Sequence, residues 1–489
     1  MKQILSTIVL LICCVADIAA QQIDFQKTYS STGPSNQGSS IIEQANGDFI
    51  ICGVRSVPTS SSQYIGSIFL FRIKSNGDTI WTKEIGTFND RELGFGMTQL
   101  PNNNLVLVGS INTPPNAATT DALIVYTDIN GNTIWQKRYG GNALDYATDV
   151  AYDGSNIIVC GRTESYGAGD SDAWLLKLNL SGDTLWTKTF GGAAFDDAQT
   201  IIAVNNEYVI TGGTYSFAAG QYDDAWVIKL DSSGKQLWRK TYGLADRVDW
   251  AWTITPDINN GSVVGYVFVG VKNTEEAQPG NARGDLHFVK IDLSGNVVWD
   301  KTIQGTPWRR EGYSVKQLSD RGFIISGYKL DPTAQSQQMY VLKTDNAGDV
   351  VWDTAYGNID SSYQALDIVA TNDGGWAITG AVFKPGQPIR YIFVTKYSNN
   401  PTGIAFSSLN NSDWEVYPNP STDGLVHVRF ANAEVQKLRL LSIDGSTIKE
   451  YEASYLSKNN VDFSIKVKGL YILEVATNKG VVRRMVNVL

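Results

Sequence analysis

Carboxylates at recurring positions are the side chains of this sequence best placed to do chemistry. One series, Glu92, Asp145, Asp196 and Asp249, is followed two residues later by Gly or Ala; a second runs Asp121, Asp172, Asp224 and Asp285. Convergent carboxylates suit Ca²⁺, or a cationic or hydroxyl-rich ligand. A pair such as Asp249 and Asp285 also suits general acid–base work on a polysaccharide. The competing reading is that each Asp accepts backbone N–H groups of its own loop, a task for which Asp is favoured in turns. Recurrence at fixed places argues for that structural job, because function more often resides where a repeat is broken. The clearest break holds Asp249-Trp250-Ala-Trp252, a longer loop over 273–284, and Trp308-Arg309-Arg310. Aromatic planes beside carboxylates and arginines suit carbohydrate stacking. Asp249, Trp250, Asp285, Trp308, Arg309 and Arg310 are therefore the candidate binding residues, while Trp252 reads as a filler along its strand.

Other chemistry is excluded by counting. His287 and His427 are the only histidines, which removes a multi-His metal centre and all but removes a Ser–His–Asp triad. No residue is assigned a catalytic role, and no cofactor is expected beyond the Ca²⁺ option. The net charge of −9 speaks against nucleic acid, which needs concentrated positive charge. Beyond the N-terminal segment only Cys52 and Cys160 remain, in the matching contexts Ile51-Cys52-Gly53 and Val159-Cys160-Gly161. They occupy corresponding strands of non-adjacent repeats, so small buried thiols are expected and a disulfide is not.

The elements that position these residues are read from an internal repeat. Gly-x-x-x-Trp recurs with Trp81, Trp135, Trp186, Trp238, Trp299 and Trp352 spaced by 54, 51, 52, 61 and 53 residues. Trp186-Thr-Lys188-Thr-Phe190-Gly191 shows the pattern that follows the Trp, and Phe25-Gln-Lys27-Thr-Tyr29 is an N-terminal copy. Three further β-like runs joined by Gly/Asp/Asn turns separate successive Trp strands, giving four short strands per unit of roughly 50 residues. The expected class is all-β: a seven-bladed β-propeller over 21–402, with the N-terminal strand completing the last blade. Each Trp should wedge between blades, and the Lys after it should guard an exposed outer edge. The Trp motif resembles the tryptophan-docking motif of quinoprotein dehydrogenase propellers, and more distantly the Asp-box of sialidases. Neither family's active-site pattern accompanies it.

The two ends carry addresses. Lys2, the apolar run Ile4 to Val15 and Ala19-Ala20 have the order of a secretory signal over 1–20, too short to span a bilayer. Leu11-Ile12-Cys13-Cys14 offers a rival lipoprotein reading. No other apolar stretch reaches the roughly 18 residues a spanning helix needs. At the far end, 403–413 reads as a linker and 414–489 as a small Ig-like β-sandwich. Its residues Tyr417-Pro418-Asn419-Pro420, Gly424, Gly469, Tyr471 and Arg483-Arg484 resemble the C-terminal sorting domain (type A) of proteins exported by the type IX secretion system of Bacteroidetes. That resemblance implies recognition by the sorting machinery, cleavage upstream of Trp414, and release or attachment at the cell surface. The expected function is a secreted or surface propeller that binds glycan or protein without catalysis. An extracellular polysaccharide hydrolase or lyase and a passive adhesion scaffold are the alternatives.

Overall fold

The computed structural model describes the chain outside residues 1–21, 30–34, 61–62, 87–89, 114–117, 246, 274–283, 305–308, 332–335, 357–360, 384–389 and 399–413, and outside 418–420, 422–423, 431–434, 443–446, 453–459, 468, 478–479 and 489 of the tail. The signal segment, the linker, Trp308, and Pro418, Asn419 and Pro420 thus lie outside the described residues. The chain divides into two compact bodies, Ile23–Ser398 and one holding Asn399–Leu489 with Met1–Gln22.

Four-stranded antiparallel sheets succeed one another through the first body. In the third, Asp145–Tyr152, Ile157–Thr163, Asp172–Leu178 and Thr184–Phe190 pair in chain order. The last turn of this sheet shows why the sequence folds so locally. Asn179 Oδ1 accepts the N–H groups of Ser181 and Asp183 at 2.9 Å, and Gly182 takes φ +77°, a conformation that a side chain would strain. Among the described residues such four-strand units occupy 35–85, 91–139, 145–190, 200–242, 249–303 and 309–356, the first two being joined to each other and to the last unit in one 12-stranded sheet by the parallel pairs Gly66–Arg91 and Ser35–Arg390. A seventh is composite: Ser362–Ala370, Trp376–Phe383 and Arg390–Ser398 receive the N-terminal strand Gln22–Tyr29 against Arg390–Ser398. We number these sheets as units one to seven.

The core lies between units, not within them. The middle strands are buried almost throughout, as in Ile157–Thr163, because both faces of each sheet are covered. Val108 and Ile124 of the second unit pack with Val159, Trp174 and Leu176 of the third. The same happens at every joint, including the seventh unit on the first through Ile392, Val394, Ile51 and Phe71. The outermost strands face solvent, as in Thr184–Phe190, where five of seven residues are exposed.

Each Trp sits at a joint as expected: Trp81, Trp135, Trp186, Trp238 and Trp299 lie on the glycine of the next unit's turn, and Trp352 stacks on Trp376 of the seventh unit at 5.5 Å. A Cβ on Gly182 would lie 3.0 Å from Trp135 and from the Lys137 stem, while Trp135 Nε1 donates to Leu180 O at 2.9 Å. The lysine differs from its expected role as a guard of the outer edge. Lys137 reaches Asp183 at 2.9 Å, Lys301 reaches Asp349 at 2.9 Å and Lys240 donates to Asn296 at 2.6 Å. It is a clasp between units. The composite unit uses the same device, with Lys27–Asp78 at 2.7 Å and Tyr29 Oη donating to Gly77 O at 2.7 Å.

In the second body, Trp414–Tyr417, Leu425–Phe430 and Asn460–Ser464 form one sheet. The other sheet comprises Thr447–Glu452, Val435–Ser442, Gly469–Thr477 and Gly480–Val488. Their inner faces share one core, in which Val426, Val428 and Phe463 meet Leu438, Leu473 and Val486. Tyr471 Oη donates to Val467 O at 2.6 Å. Gly424 takes φ +75° and its carbonyl accepts Ile465 N at 2.7 Å. Arg483 and Arg484 pair with Glu474 and Leu473 through the backbone.

Candidate functional site

Five of the eight recurring acids accept backbone or hydroxyl donors of their own loops. Asp145 accepts Gly141 N at 2.8 Å and Ser165 Oγ at 2.6 Å, and also the Thr163 hydroxyl. Asp196 repeats this with Gly192 N at 2.8 Å and the Thr214 hydroxyl. Asp172 and Asp224 accept Ala168 N and Ala219 N, each at 2.7 Å. The two series meet across the glycine that ends each Trp strand. A Cβ on Gly140 would lie 2.5 Å from Asp121 and 2.7 Å from Asp145, and one on Gly243 2.4 Å from Asp224 and 2.7 Å from Asp249. Burial, with the Asp145 charge beside it, raises the Asp121 carboxyl above its ordinary range. Among the described residues no group of three or more His, Cys, Asp or Glu is arranged to hold a metal ion.

The residues singled out from the sequence are placed as follows. Asp249 is fully buried, accepts Leu244 N at 2.7 Å, and shares a row with Lys272 and Asp285 across the fifth unit. Trp250 lies over Gly213, where a Cβ would come within 2.2 Å of its ring, and beside Phe195 at 6.2 Å. Arg309 is ion-paired to the buried Glu311. Arg310 stacks 5.2 Å above Tyr340, whose Oη donates to Asp353 at 2.7 Å. These groups are distributed over two units and each has partners of its own.

The innermost strands build a different site. Register shifts place a bulge at the same point of six of them, at Ser39, Phe95, Thr148, Trp252, Tyr313 and Leu366. Gln199 of the fourth unit, just before its short strand Thr200–Val204, completes the level. A bulge re-aims one side chain without ending the ladder. All seven line one cavity of about 830 Å³, within the range of small-ligand pockets.

In four units the residue after the bulge stitches neighbouring units. Asp149 accepts Ile201 N at 3.0 Å, Thr200 Oγ1 donates to Trp252 O at 2.7 Å, and Asp367 accepts Ser314 Oγ at 2.8 Å and Ile41 N at 3.0 Å. Burial pushes the Asp149 carboxyl up to about 6, against its two backbone donors and Lys316. Asp197, further along the fourth unit, is pushed up to about 7 by burial, with Arg162 opposing and Asp223 adding. Arg162 stacks 4.7 Å from Tyr146 and 5.3 Å from Phe195 at the same cavity.

The bulge positions were not singled out in the sequence. The signal that marks them is their place three residues after the first acidic series, where the repeat holds Phe95, Thr148, Gln199 and Trp252. No two copies there agree in residue type.

Residues 415–488 match the family of secretion system C-terminal sorting domains. No curated protein matches the chain. Among solved structures, an α-L-arabinofuranosidase mutant from Fusarium graminearum with an iminosugar inhibitor is 10% identical, with 62% of this chain and 92% of that one covered and a TM-score of 0.42. The arabinobiose complex of the Fusarium graminearum enzyme gives 10% identity, 62% and 92%, and 0.41. A protein of unknown function from Dyadobacter fermentans is 10% identical over 77% of this chain and 99% of that one, at 0.40. Likeness at that level says nothing about ligand or reaction. The tail match implies contact with the type IX secretion machinery and export to the cell surface or the medium, and no helix among the described residues is long and apolar enough to cross a membrane.

Proposed function

We propose that this chain is a non-enzymatic binding module for glycan or protein, carried on a seven-bladed β-propeller and delivered by type IX secretion. In this reading 1–20 is a cleaved signal peptide, 21–402 the ring, 403–413 a linker, and 414–489 an Ig-like sorting domain removed or anchored at the outer surface. The observation that carries it is the commitment of the acids. Asp145, Asp172, Asp196, Asp224 and Asp249 each accept a loop N–H at 2.7–2.8 Å, which is the structural work of Asp in turns and supports a scaffold role for these acids over acid–base work. Binding then falls to the cavity and the loops. The test is incubation of the full chain with soluble and insoluble polysaccharides and with surface protein extracts. Retention without release of reducing ends or unsaturated products is expected; product release by the pure protein would overturn the reading in favour of a hydrolase or lyase.

A further inference from the structure

The seven copies of the unit are seven samples of one backbone position, and they can be compared within the chain. Two positions that hold the ring together keep their residue type in six of the units: Gly at the turn and Trp on the outermost strand. The bulge position does not. It is Ser39, Phe95, Thr148, Gln199, Trp252, Tyr313 and Leu366 in units one to seven, although every copy faces the same cavity. A site freed from the repeat's structural demands and gathered on one cavity is where recognition is written.

Its chemistry has two sides. Trp252, Tyr313 and Leu366 of adjacent units form an apolar arc, with the Trp252 and Tyr313 rings edge to face at 5.6 Å. Thr148 and Gln199 lie on the third and fourth units, and Ser39 on the first. Ser39 Oγ, Trp252 Nε1 and Thr253 Oγ1 are buried behind the lining, so the neutral polar groups offered to the cavity are those of Gln37, Thr98 and Gln199. Charge on the lining is balanced, with Asp149 and Asp367 against Lys316 and Arg162. Both carboxylates already accept backbone N–H groups.

We infer that this collar binds a neutral sugar ring. Its C–H face lies on Trp252 and Tyr313, and its hydroxyls bond to Gln37, Thr98 and Gln199. With two carboxylates offset by Lys316 and Arg162, the lining offers neither a uronic acid nor an amino sugar a net opposite charge. The inference rests on the binding reading above and gives it a site and a ligand class.

The test applies the full chain to a panel of neutral, uronic and amino oligosaccharides, with Trp252→Ala and Ser39→Trp as variants. Ser39→Trp fills the cavity without removing a packed ring, and its melting temperature reports that the ring is intact. Retention of neutral oligosaccharides, weakened at least tenfold in both variants, is expected. Unchanged affinity in the variants would overturn the collar as the site while leaving the binding function standing. Retention of charged sugars alone, or of none, would overturn the neutral-sugar class; in the second case, capture of a surface protein would still support the broader reading.

Discussion

Single side chains in this protein are read correctly only with their partners in view. Gly213 illustrates the steric case: a methyl group there would enter the Trp250 ring, at 2.2 Å. Gly213→Ala should cost about 1–3 kcal/mol, the usual penalty of overpacking, measured as a lowered denaturation midpoint. Asp197 illustrates the electrostatic case. Its carboxyl is raised by burial to about 7, so between roughly pH 4 and 7 the folded chain holds a proton that the unfolded chain has released. Stability from this group is therefore greatest at the acid end and falls as pH rises through that window. Asp197→Asn removes the fall. The difference in unfolding free energy between wild type and variant, followed from pH 4 to 8, should move toward the variant as pH rises; a flat difference would refute the assignment.

Whole strands are joined by a lysine clasp that recurs from seam to seam, and at one seam the lysine faces a like charge. Lys137, Lys240 and Lys301 find Asp183, Asn296 and Asp349 on the following turn. Lys188 meets Lys235 at that position in the sequence, and both are exposed. Lys235→Asp restores the clasp and removes a like-charge neighbour, so a gain of about 0.2–1 kcal/mol is expected, with a higher melting temperature that shrinks in salt. The stitch at the innermost strands is deeper. Asp367→Ala leaves Ile41 N and Ser314 Oγ without their acceptor and should cost about 1–3 kcal/mol, read by chemical denaturation.

The whole molecule depends on joining its ends. Gln22–Tyr29 supplies the fourth strand of the seventh unit, and through Lys27 and Tyr29 it also holds the first. Deleting 22–29 should do more than remove one strand. With the joint open, two sheet faces lose their cover, and a broadened, lower unfolding transition with aggregation is expected from calorimetry and light scattering. The tail is a separate matter. Deleting 415–488, the segment matching the sorting family, should leave the propeller body folded but retained inside the cell, as cell fractionation would show.

How much of this was legible in advance depends on the distance between partners. The 50-residue period, the four strands per unit, the Trp at the seam and the sorting tail follow from local patterns, because turn residues, β-alternation and motif order are written in consecutive residues. The seam lysine was legible as a residue but not as a clasp, since Lys137 and Asp183 are 46 residues apart. Trp250 and Trp252 show the limit most clearly. Alternation alone places both on one face of a strand, yet the bulge turns Trp252 to the cavity, while Trp250 lies on Gly213. The sequence by itself determined the repeating scaffold and its address. The commitment of acids such as Asp145 and Asp172 to their own loops was also within reach, because their donors lie four residues away. Only the tertiary structure decided which side chains meet in the central cavity, because that depends on contacts between units that no single repeat contains.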